Sequence, residues 1–143
     1  MAAYSGMRLL TAGFLLASLP GVLTAQAPGF SKGDWKRVET EHFLFLYPEE
    51  LSGWALPMAE RMESVRDAVG ALIGYAPGDR VTVLVDDPSN VSNGSMVPGP
   101  LLFMYPTPPD PRSMIGENRG WAEILAVHEF AHAAHLTRPS RNA

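Results

Sequence analysis

The chain contains no cysteine. That excludes disulfide bridges, a thiolate metal site and a lipid-modified cysteine. Basic residues are few and scattered. Eleven Lys and Arg face 15 Asp and Glu, for a net charge of −4. No basic cluster exceeds two residues, whereas a nucleic-acid partner needs a concentrated positive face. No nucleic acid is therefore expected. Beyond the amino end no segment is apolar enough to cross a membrane, and no internal repeat is visible. With 143 residues, 46% of them hydrophobic and 18% charged, the chain fits one globular domain at most.

Residues 1–27 read as a secretory signal peptide. Arg8 supplies the positive charge of the leading region, Leu9–Leu19 is an apolar run, and Pro20-Gly21 breaks it. Ala25-Gln26-Ala27 offers small residues for cleavage. The run is short for a membrane span. The expected location is thus secreted or periplasmic, and residues 28–143 carry the fold.

Along the mature chain, Pro28–Lys36 reads as a polar lead-in. His42–Tyr47 is rich in aromatic residues and leucine and stops at Pro48, as a buried strand does. A long helix is expected from Glu49 to about Ile73. Met58, Met62, Val65, Val69 and Leu72 keep helical spacing on one side, and Glu60, Arg61, Glu63, Arg66 and Asp67 fill the other. Gly74 and Pro77-Gly78 end it. Arg80–Val85 is a β-branched strand closed by Asp86-Asp87-Pro88, where a turn role is expected of the two acids. Asn93-Gly94 marks a tight turn. Pro100–Tyr105 reads as a strand bracketed by prolines, which suits an edge. A second helix is expected from about Arg119 to Thr137. The order is β-α-β-β-α, an α+β chain.

The second helix holds the informative residues. His128-Glu129-Phe130-Ala131-His132 is H-E-x-x-H, in a stretch free of Gly and Pro from Trp121 to Arg138. Residues four apart on a helix share a face, so both imidazoles reach one metal ion. Glu129 is turned about 100° from His128 and falls beside that metal. Zinc (Zn2+) lowers the pKa of water towards neutrality, and a carboxylate so placed takes the proton as water attacks a carbonyl. Ile124, Leu125, Val127, Ala131 and Ala134 are expected to bury the helix. The competing reading is a helix whose polar histidine face packs against something unrelated.

Catalytic zinc takes three protein ligands and keeps one open position. The helix supplies two. His135 shares their face but lies roughly 10 Å along the axis from His128 at 1.5 Å per residue. No histidine follows His135 and no acid follows Glu129, so the third ligand is expected beyond Ala143. Elsewhere, Gly116-Glu117-Asn118 reads as a loop, His42 as a structural histidine, and Trp35, Trp54 and Trp121 as core or interface residues.

The segments ETEHFLFLYPEE, VLVDDPSNVSNGSMVPGPLLFMYPTPPD and WAEILAVHEFAHAAHL resemble the peptidase-MA-like (gluzincin) domains of bacterial secreted proteins. The likeness covers most of Val38–Leu136. The strand–turn–strand block with its PTPPD is more telling than H-E-x-x-H, which all zincins share. The resemblance implies a thermolysin-like, zincin-like fold and hydrolysis of a peptide or protein substrate. It also implies a third zinc ligand from a downstream helix, often in a W-x-x-E-G setting. In many such proteins a TolB- or WD40-type β-propeller follows. Carried over, His128 and His132 are the zinc ligands and Glu129 the general base. Leu101–Tyr105, with Leu102, Phe103 and Met104, is then the edge strand that pairs with an extended substrate. The chain reads as the N-terminal part of a zinc metallopeptidase, inactive without the remainder. The alternative is a non-catalytic zincin-like module that docks on an envelope or β-propeller partner.

Overall fold

The computed structural model describes residues 29–110, 112 and 120–140. The expected signal peptide and the Gly116–Asn118 loop lie outside the described residues. Within them, five strands form one mixed sheet and two helices pack on one of its faces. Strand β2 (Phe43–Pro48) alternates Phe43, Phe45 and Tyr47 into the core with Leu44 and Leu46 on the other face. Strand β3 (Val81–Val85) does the same with Val81, Val83 and Val85 inward. This period of two is what a pleated strand imposes. The 22-residue helix α1 (Ser52–Ile73) follows β2 after a short 3-10 turn at Glu49–Leu51. It carries the chain across so that β3 pairs parallel to β2, a connection that antiparallel hairpins do not need. Gly74 ends α1 in the left-handed region at φ 74°, its N–H reaching the Gly70 carbonyl at 2.8 Å. Glycine is the residue that adopts this cap without strain.

Two strands depart from the sequence reading. Trp35–Glu39, whose first two residues fall in the expected polar lead-in, is strand β1 and pairs antiparallel with β2. Four of its five residues are exposed and only Val38 packs against the core, so no alternation betrays it. Gly94–Val97 is strand β4, with Asn93-Gly94 at its entry and no tight turn there. The reversal comes at Pro98-Gly99-Pro100, with Gly99 at φ 120°, and leads into β5 (Leu101–Met104).

Sheet order is β1-β2-β3-β5-β4. The expectation that Leu101–Met104 is the edge is therefore corrected. β5 pairs with β3 on one side and β4 on the other, so its backbone groups are committed. Leu102 and Met104 are fully buried in the core. β4 holds the edge.

Helix α2 (Trp121–Thr137) packs against α1 and lies under β4 and β5. Its buried residues are Leu125, Ala126, Glu129, Phe130, Ala133 and Ala134, a stripe repeating every four residues. Ile124 and Val127, expected in the core, stay 45% and 46% exposed because they sit about a quarter-turn off that stripe. Phe130 meets Phe43 edge-on with ring centres 5.7 Å apart. The Tyr75 hydroxyl donates to the Thr137 carbonyl at 3.1 Å, tying the far ends of the helices together. No helix among the described residues is long and apolar enough to cross a membrane.

Candidate metal centre

Helix α2 sorts its three motif side chains into two environments. His128 and His132 are exposed, and Glu129 is 4% exposed within the buried stripe. The two imidazoles converge, their Nε2 atoms 3.1 Å apart and their rings nearly perpendicular. Two nitrogens on one tetrahedral zinc, each about 2.0–2.1 Å from it, stand about 3.3–3.4 Å apart. The histidine pair matches that span with little rearrangement.

Glu129 supplies a second sign of fit. Its Oε2 is buried and makes no hydrogen bond among the described residues. Such an atom carries a desolvation cost with nothing to offset it. Burial pushes its carboxyl above the ordinary glutamate range, and the charges of His128 and His132 pull partly the other way. A raised pKa suits a group that takes up a proton near neutrality. Among the described residues, no group of three His, Cys, Asp or Glu stands ready to hold a metal. His135, seven residues from His128, is exposed and makes no third ligand.

Strand β4 closes the site from above. A Cβ on Gly94 would lie 2.4 Å from Leu125 Cδ1 and 2.6 Å from Glu129 Oε1. The backbone of the edge strand thus passes directly over the carboxylate, and only glycine permits that approach. Trp121, which donates its indole N–H to the Tyr105 carbonyl at 3.0 Å, and Ile124 wall the same cleft. It encloses about 210 Å³ between the Ser92–Gly94 segment and the His128–Glu129 turn. Gly94 and Trp121 are the site residues that sequence reasoning missed. Asn93-Gly94 reads as a turn pair, and nothing local signals that α2 lies beneath it.

The remaining singled-out residues take structural places. His42 Nδ1 sits 2.9 Å from Glu63 Oε2 and links β2 to α1. Asp86 accepts the Ser31 N–H at 3.0 Å, and Asp87 accepts the Thr107 N–H at 3.0 Å, so the pair fastens two loops to the end of β3. Phe103 faces away from the helices, and Leu102 and Met104 lie in the core, so none of the three reaches the His128–His132 side of the cleft from the solvent. No family model, curated protein or solved structure matches the chain.

Proposed function

We propose that this chain carries the metal-binding half of a secreted zinc metallopeptidase of zincin-like fold. The observation that supports it best is the pairing of two convergent, exposed imidazoles with a buried, unpartnered carboxylate on one helix. His128 and His132 hold the zinc, with a third ligand from outside the described residues. Bound there, zinc supplies Lewis-acid polarisation and a water of lowered pKa. Glu129 takes the proton of the attacking water and passes it to the leaving amine. Its burial keeps the carboxyl basic enough for that task. The edge of β4, unpaired among the described residues, aligns an extended peptide by backbone hydrogen bonds, the role first expected of Leu101–Tyr105. It brings the peptide past Gly94, beside Glu129.

The test takes the full-length protein, with the downstream segment expected to carry the third ligand, and compares wild type with Glu129→Gln and His128→Ala in zinc content and in cleavage of an unstructured protein substrate. Glu129→Gln is expected to keep its zinc and lose at least about 100-fold in rate. His128→Ala is expected to lose both. Equal cleavage by Glu129→Gln overturns the peptidase reading. A full-length wild type that takes up no zinc points to the non-catalytic module instead.

A further inference from the structure

The sheet has a second face that no helix among the described residues covers. Leu44, Leu46, Thr82, Leu84, Leu101 and Phe103 are half-buried on it. At its β4 end, Leu84 lies opposite Phe103, and Phe103 lies opposite Ser95. Directly paired residues project to the same face, so these three form a row running out to the free edge. A pocket of about 240 Å³ sits over that row, walled also by Phe30 and Tyr105. Its one buried charged group is Asp86, 3% exposed, with Oδ2 taking the Ser31 N–H and Oδ1 the Asp87 N–H. Ser95 is exposed and short, so the row is open at its outer end.

We propose that this pocket selects a large apolar side chain on the extended peptide that pairs with β4. The inference rests on the edge-strand reading above and names the substrate feature that reading leaves open. An added strand lies about 4.8 Å beyond β4, and its side chains alternate between faces. The residue opposite Ser95 continues the row and leans across the serine onto Phe103. Its neighbours in sequence turn to the other face, towards the cleft where Gly94 meets Glu129. One peptide is therefore read on both faces of the sheet, with the apolar requirement one step away from the residue that faces Glu129. Leu, Met, Phe and Tyr fit a pocket lined by Phe30, Leu84, Phe103 and Tyr105. Asp and Glu are refused, because they would bring a second carboxyl beside that of Asp86 in an otherwise apolar pocket.

The experiment has two arms. A peptide library is digested with the full-length protein, downstream ligand segment included, and the cut sites are read by mass spectrometry. In parallel, labelled peptides with Leu, Ala or Asp at the selected position are titrated against Glu129→Gln. The expected result is a preference for large apolar residues over alanine of about 10-fold or more at one fixed position, with acids least favoured. Ser95→Trp, which plugs the row at an exposed position, abolishes the preference, and Ser95→Ala keeps it. Cleavage with no positional preference, or a preference unchanged by Ser95→Trp, overturns this inference and leaves the peptidase reading standing. Apolar-selective binding that Ser95→Trp removes, without cleavage by wild type, supports the pocket and overturns the peptidase reading. Neither binding nor cleavage overturns both.

Discussion

Alanine at Gly94 puts the tightest of the described glycine positions under direct test. Gly94 is not at positive φ, so its backbone conformation is open to alanine. By itself the exchange would stabilise by about 0.4–1 kcal/mol, through the loss of freedom in the unfolded chain. Against that stands the new methyl, 2.4 Å from Leu125 Cδ1 and 2.9 Å from Glu129 Cδ. Both neighbours are nearly buried, at 3% and 4% exposure, and neither can swing into solvent. Overpacking of this kind costs about 1–3 kcal/mol. The net expectation is a destabilisation of about 1–2 kcal/mol, or a melting temperature lowered by roughly 3–10 °C for a domain of this size. Urea denaturation followed by circular dichroism measures it. Gly53→Ala is the control, since a Cβ there meets nothing within 4 Å on the exposed start of α1. That variant should gain from a few tenths to about 1 kcal/mol. A Gly94→Ala protein as stable as wild type, with Gly53→Ala behaving as expected, would refute the claim that β4 rests on the Glu129 carboxylate.

Two further changes probe the scaffold that holds this approach in place. Burial pushes Glu63 up, but hydrogen bonds from Thr40, the His42 backbone and the His42 ring, with the imidazole charge, outweigh it and hold the carboxyl below its ordinary 4.5. A depressed folded-state value gives stability that is present above 4.5 and lost as pH falls through the lower value. Glu63→Gln should therefore be less stable near neutrality and show a flatter decline from about pH 5 to about pH 3 in urea midpoints; parallel declines would remove the role given to Glu63. Phe130→Ala empties a fully buried site against Phe43 and should cost about 3–5 kcal/mol in the same assay. A loss below about 1 kcal/mol would mean that α2 does not pack on β2 through this ring.

How legible each element is in the sequence follows from where its forces come from. The two helices announce themselves through spacing and the absence of breakers, because a helix satisfies its own backbone. Even so, spacing misplaces the stripe at the end of α1. Leu72 continues a three-residue step from Val69 yet is 87% exposed, while Ile73, a four-residue step on, packs against the core. Strands β2 and β3 are legible because both alternate cleanly into a core. β1 and β4 are not, since each sets only one hydrophobic side chain, Val38 or Met96, against the core. Each is defined by a partner far away or across a turn, and the exposed residues of β1 and the short glycine-led β4 leave no periodic trace. The prolines around Leu101–Met104 suggested an edge. The proline and glycine at 98–100 instead build the hairpin that lays β4 outside β5.

The same distinction explains the site. The spacing of His128 and His132 fixes their convergence, because one helix carries both. The state of Glu129 is not local. Its burial depends on β4 crossing above it and on Leu125 and Phe130 packing beside it in the stripe. At that position of an otherwise apolar stripe, a leucine would remove a buried carboxylate oxygen that has no partner. A buried acid that stability alone would not place there, next to two imidazoles aimed at a common point, is the kind of local conflict that folds keep for chemistry. Gly94 belongs to the same conflict. A side chain there would hold the edge strand off Glu129 and lessen the burial that raises the carboxyl's proton affinity.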